Sequence, residues 1–162
     1  MQFKIGIDPG LTGALILLEE SNKHQYHCVF ISEMPVMPLG KNKHQVNSAE
    51  VARIMKAYQT HCGHLGYHPI VYLERVTAMP EQGVTSMFNF GMSYGVIQGV
   101  VQALNMPLVL VSPGIWKKRA GIIGKDKDYA RTIAQQLWPG VPLGLKKDIG
   151  KADALLIARF GE

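Results

Sequence analysis

The chain opens on a run in which nearly every position is apolar, Phe3 to Ile7, closed by Asp8. A short continuous apolar run that stops at turn signals reads as a strand covered on both faces. Asp8-Pro9-Gly10 supplies the turn, since proline fixes φ and glycine accepts a positive one. Residues 13–19 (GALILLE) and 26–32 (YHCVFIS) read as second and third strands, and their short connections make an antiparallel meander the economical arrangement. Residues 33–47, with Pro35, Pro38 and Gly40, read as a loop. Asn47 with Glu50 three positions on has the form of a capping box, and Val51, Ile54, Met55, Tyr58 and Cys62 follow at helical spacing. Pro69 ends that unit. Residues 70–74 (IVYLE) are a short apolar strand with a carboxylate at its end, and residues 76–85 a loop. A long helix is predicted from about 86 to 105, with Ile97, Val100, Val101 and Leu104 on one face. A fifth strand follows at 108–111, then a short helical or irregular segment through Trp116, a helix from about 126 to 138, a loop, and a last helix from 150 to 160. The predicted order is β-β-β-α-β-α-β-α-α. It describes an α/β fold with a five-stranded mixed sheet, three antiparallel strands and then parallel ones, flanked by helices. The 162 residues suit a single domain, 1–162.

Composition narrows the class. At 47% apolar residues the chain can bury a core, which excludes a disordered segment. The net charge of +5 is unevenly placed. Residues 1–116 hold seven basic and seven acidic residues, whereas residues 117–151 hold nine basic against three acidic. Those nine are Lys117, Lys118, Arg119, Lys125, Lys127, Arg131, Lys146, Lys147 and Lys151. Regional positive charge is what a phosphate-binding surface needs, with a solvated basic face as the alternative. Two cysteines, Cys28 and Cys62, make no disulfide scaffold. The N-terminus, Met1 to Asp8, meets a charge too early for a signal peptide, and no apolar run approaches the ~20 residues that span a bilayer. The expectation is a soluble cytoplasmic protein without membrane contact.

The acidic residues number twelve, so those at element ends stand out. Asp8 ends the first strand, Glu74 ends the fourth, and Asp153 lies in the first turn of the last helix. If the two strands are neighbours, Asp8 and Glu74 leave adjacent ends, and a helix across those ends adds Asp153. Converging carboxylates repel one another and are tolerated around a divalent cation. Magnesium takes oxygen ligands, and two such ions can activate a water and stabilise the leaving oxygen of a phosphodiester. Each residue alone also has a plainer role: a turn cap, a surface pair with Arg75, or a favourable charge at a helix N-terminus. His61, Cys62, His64 and His68 lack paired ligand spacing and do not form a zinc motif.

The segment Ile5-Gly6-Ile7-Asp8-Pro9-Gly10-Leu11-Thr12-Gly13 resembles the first motif of RuvC-type Holliday junction resolvases, in the ribonuclease H-like superfamily. Tyr72-Leu73-Glu74-Arg75 resembles the second, and Lys151-Ala152-Asp153-Ala154-Leu155-Leu156-Ile157-Ala158 the C-terminal one. Weaker matches lie between them at Gly91–Gly95 and Ser112–Lys118. The element order is also the ribonuclease H-like one. The resemblance implies a homodimeric endodeoxyribonuclease of DNA recombination and repair, dependent on Mg²⁺ with Mn²⁺ as a substitute. It would cut opposed strands of a four-way junction and hold the metals through Asp8, Glu74 and Asp153. The family carries a fourth ligand three residues before the last Asp; that position is Gly150 here, and Asp148 is the substitute candidate, with an N-cap as its other role. The family also places an aromatic wedge after the second motif, where this chain has Thr77; Met79 and Phe88 are the candidate wedges, or else core residues of the helix start. Lys118 or Lys127 is placed to offset transition-state charge.

Gly91, Gly95 and Gly99 recur every four residues on one predicted helix. Each costs up to about 1 kcal/mol against alanine in a helix interior, so the stripe asks for a close backbone approach. The partner is the sheet, another helix of the same chain, or a second copy across a dimer interface. Three rival functions share parts of this pattern. An actin-like phosphotransferase needs two such domains and is excluded by length. A non-catalytic junction-binding protein and a ribonuclease H-like nuclease acting on hybrids or flaps remain.

Overall fold

The computed structural model describes residues 1–22, 25–77 and 83–162. The meander forms where its apolar runs predict it: β1 (Gln2–Asp8), β2 (Ala14–Asn22) and β3 (Gln25–Glu33) pair antiparallel in sequence. Residues 33–47, expected as a loop, contain a two-stranded hairpin, β4 (Val36–Pro38) and β5 (His44–Val46). Its prolines masked it: Pro38 lacks a backbone donor but closes a short ladder in which Val36 pairs Val46. Helix α1 (Ser48–His64) follows, capped by the Asn47 side chain, which accepts from the Glu50 amide at 3.2 Å. The capping box is half made, because the Glu50 carboxylate pairs with Arg53 instead of reaching back.

Strand β6 (Ile70–Glu74), helix α2 (Val84–Ala103) and strand β7 (Leu108–Val111) come next, then α3 (Pro113–Arg119), α4 (Tyr129–Leu137) and α5 (Ile149–Phe160). The segment through Trp116, expected as helical or irregular, is a helix. The start of α4 lies three residues later than expected, because the Asp126 carboxylate accepts from the amides of Asp128 and Tyr129 and holds a turn there. The sheet order is β3-β2-β1-β6-β7, with β6 and β7 parallel to β1. This is the expected mixed sheet.

Strand alternation decides how the sheet is covered. Leu15 and Leu17 of β2 face one core with Met55 and Tyr58 of α1 and Ile97 and Val101 of α2. Ile16 and Leu18 face the other, with Trp116 of α3, Ala134 of α4 and Leu155 of α5. The result is three layers, helices on both faces of the sheet. Within it, α5 lies unusually close to β1. A Cβ at Gly6 would collide with the Ala154 carbonyl oxygen and come within 2.8 Å of the Ala158 Cβ. Gly6 is therefore a contact position: only a bare Cα lets helix and strand meet at this depth.

Replacing Gly6 by Ala should lower stability by about 1–3 kcal/mol, the usual cost of overpacking. Urea unfolding followed by circular dichroism measures it; an unchanged midpoint would mean that α5 yields freely.

Candidate active site

The sheet topology builds the site. β1 and β6 run parallel, with Ile7 opposite Leu73, so the next residues, Asp8 and Glu74, leave neighbouring strand ends. Asp153 sits on the second turn-forming stretch of α5, one residue before the Ala154 carbonyl that rests on Gly6. Burial pushes the Asp8 carboxyl up to about 6, with the Glu74 charge adding to it and the Gly10 amide, donating at 3.1 Å, opposing it. Burial pushes Asp153 up to about 7, and the charges of Asp8 and Glu74 add to that. Each of these shifts is a like-charge effect superposed on desolvation. Three carboxylates from three separate elements thus share one field.

Two neighbours hold this cluster in place. The indole of Trp116, fully buried, donates from Nε1 to Glu74 Oε1 at 2.9 Å. It fixes the carboxylate from α3 and was not anticipated beyond its place in a weak motif match. The adjacent Lys117 has its ammonium 5.2 Å from the Trp116 ring centre and lowers the carboxyl pKa of both Asp8 and Asp153. Lys127 acts on Asp153 as well. Lys118, expected in that role, is exposed and is not among the charges acting on either aspartate. The cations acting on the site are Lys117 and, on Asp153, the expected Lys127. A groove of about 520 Å³ runs from Asp153 between Lys117 and the segment Lys125-Asp126-Lys127.

Among the described residues no group of three His, Cys, Asp or Glu closes into a ready cage for one ion. The three carboxylates form an open, charge-coupled arrangement. Its donor chemistry fits a hard cation: oxygen ligands only, mutually repelling, with a surplus of negative charge for one lysine to offset.

No protein-family model matches the chain, and no curated protein matches it either. Solved structures do. The chain superposes on Thermus thermophilus RuvC in complex with a Holliday junction substrate with a TM-score of 0.68, at 17% identity, over 98% of this chain and 91% of that one. A second Thermus thermophilus RuvC structure matches at 0.59, 19% identical, over 97% and 91%. The fold is that of RuvC.

Against the RuvC pattern, Gly150 becomes intelligible. A Cβ there would strike the Thr12 carbonyl oxygen and approach the Gly13 Cα to 2.8 Å. The start of α5 is pressed onto the β1–β2 turn, which leaves no room for a ligand side chain at that position. Asp148 does not join the cluster. It is buried, accepts from the Leu145 amide at 2.9 Å and from Lys151 Nζ at 2.9 Å, and that lysine holds its carboxyl below the usual range. It organises the entry to α5. The basic stretch also divides. Lys151 pairs with Glu33 and Asp148, and Arg131 with Asp128 and the carbonyls of Leu143 and Gly144. Both serve the fold. Arg119 donates to the Phe160 carbonyl, while Lys118, Lys125, Lys127, Lys146 and Lys147 remain exposed. Of the wedge candidates, Met79 lies outside the described residues, and Phe88 is 65% exposed on α2, which rules out a core role. No described helix is long and apolar enough to cross a membrane.

The raised carboxyls set a pH prediction. Between their unfolded values near 4 and folded values of about 6 and 7, the native state binds more protons than the unfolded one, so stability falls as pH rises across that window. In chelator, Asp153→Asn should be more stable than the parent at pH 8, by about 1 kcal/mol or more, with the advantage vanishing by pH 4. Thermal melts at the two pH values decide it; an equal difference at both would break the link to ionisation.

Proposed function

We propose that the protein is a structure-selective endonuclease that resolves four-way DNA junctions by metal-dependent phosphodiester hydrolysis. The observation that carries this reading is the convergence of Asp8, Glu74 and Asp153 from β1, β6 and α5. The shared RuvC fold supports it, since one of the matched structures holds a Holliday junction substrate.

Asp8, Glu74 and Asp153 would hold Mg²⁺, or Mn²⁺ in its place. Bound there, the metal supplies Lewis-acid polarisation of the phosphate and a nucleophile at neutral pH. The chain's own residues do the positioning. The Gly10 amide orients Asp8, and the Trp116 indole orients Glu74, so neither carboxylate has to reorganise. Lys117 and Lys127 bring positive charge to the same edge, where an incoming phosphate gathers negative charge. The exposed lysines of the basic stretch extend that field outward and favour a polyanion.

One chain has one carboxylate cluster, whereas a junction has two opposed strands to cut. A homodimer with a two-fold axis supplies both. Helix α2 offers the surface. Val84, Phe88, Met92 and Val96 are exposed along one stripe, and a Cβ at Gly91, Gly95 or Gly99 would meet nothing within 4 Å. Among the described residues, then, none packs against these glycines, and a second copy is the partner proposed for a close approach.

Asp8→Asn should abolish cleavage of a labelled four-way junction in Mg²⁺ while leaving binding intact. Duplex and RNA–DNA hybrid run alongside; faster cutting of the hybrid would reassign the substrate to a related nuclease activity, and wild-type cleavage by the variant would remove Asp8 from the site.

Gly95→Leu should yield a folded monomer that nicks junctions singly. Light scattering reads the mass and circular dichroism the fold. A parent protein that stays monomeric both free and junction-bound would defeat the dimer.

A further inference from the structure

A second groove, of about 700 Å³, lies between the β4–β5 hairpin and the first half of α2, with Leu11 of the β1–β2 turn at its edge. We propose that it takes one unpaired nucleotide of the strand delivered to the active site. The inference rests on the nuclease reading above.

The groove begins at Leu11, three residues after Asp8 in the β1–β2 turn. Its far wall is the α2 stripe Thr85, Asn89 and Ser93, spaced by four so that they share one face. That stripe is distinct from the exposed apolar one. Tyr94, next to Ser93, lies within the field of Glu74, which sets this part of α2 near the cluster. The groove is thus a neighbour of the site, in reach of the same strand.

Its chemistry is that of a base with its phosphate. Phe90 and Leu11 supply an aromatic ring and an apolar contact, which a bare phosphate would not use. Asn42 and Asn89 each carry a donor and an acceptor, as a base edge requires. Ser93, only 6% exposed, lines the groove and adds a hydroxyl that can donate to or accept from a base edge. At the other end, α2 starts at Gly83 with no side-chain cap and no acidic residue in its first turn, and Thr85 and Ser86 of that turn line the groove. A helix N-terminus favours an anion. Lys43 stands across from it on the hairpin, and no carboxylate is among the described lining residues. The hairpin tip holds its shape through Gly40 and Asn42, both at positive φ, which presents Asn42 and Lys43 to the groove.

The test separates this site from the nuclease reading. Four-way junctions carrying 2-aminopurine at single positions around the crossover are bound by the intact protein in EDTA. The parent should raise the fluorescence of one position on each cleaved strand. Asn89→Ala with Ser93→Ala should cut that rise by about five-fold or more while junction affinity changes little. Lys43→Ala, at an exposed position of the hairpin tip, should weaken the same response, with circular dichroism confirming the fold of each variant. Retention of the full response by both variants overturns the proposal and leaves the nuclease reading standing. A parent that binds the junction with no response at any position also overturns it alone. Failure of the parent to bind junctions at all overturns both.

Discussion

The contact between Gly6 and the backbone of α5 is the constraint on which the rest depends. A strand and a helix normally stand apart by the thickness of their side chains. Here the missing Cβ lets the Ala154 carbonyl settle on β1, with Ala158 one turn on. Asp153 precedes Ala154, so the depth of this contact sets how near Asp153 comes to Asp8. The same closeness at the helix start presses Gly150 against the β1–β2 turn. One packing decision therefore fixes three things: the third carboxylate, the turn carrying the Gly10 amide, and the lack of a ligand side chain at position 150.

The cluster is costly to the folded chain. Asp8 and Asp153 both lose hydration and feel a neighbouring negative charge. A sequence selected for stability alone would place neutral residues at these strand ends. What the fold provides instead is local support. A backbone amide meets Asp8, a buried indole meets Glu74, and Lys117 stands where two aspartates feel it. These contacts orient the carboxylates without neutralising them, which keeps negative charge available to a cation. That is the signature of a site whose strain is useful.

Much of this was legible in the chain. Asp8 and Glu74 each end an apolar run, and the run lengths and order imply neighbouring parallel strands, so their meeting follows from topology. Asp153 stands out as an acidic residue at the start of the last helix and by the resemblance of its segment to the C-terminal RuvC motif. The unread parts share a cause: they depend on backbone proximity between distant segments. Nothing local distinguishes Gly150 as a packing glycine from a lost ligand, nor Asp148 as the organiser of a helix entry from a metal ligand. Net charge likewise cannot separate Lys151 and Arg131, tied into ion pairs, from the exposed lysines beside them. The hairpin at Val36–Val46 escaped because its prolines argue against strands, and three-residue strands carry almost no period.

Helix α2 shows why periodicity alone misjudges such a segment. Its apolar residues run all the way round, a pattern that belongs to a helix covered on every side. Within one chain only the stripe through Ile97 and Val101 meets the sheet. The stripe through Phe88, Met92 and Val96 is exposed, and among the described residues nothing covers the glycines between them. The polar stripe through Asn89 and Ser93 opens on the groove beside the hairpin. A helix inserted between a sheet, a second copy and a nucleic-acid strand would need these three faces, in this angular order. The sequence of α2 is then consistent at every position. An isolated chain would instead leave the apolar stripe through Val84, Phe88, Met92 and Val96 in water, an unmet requirement on the same helix.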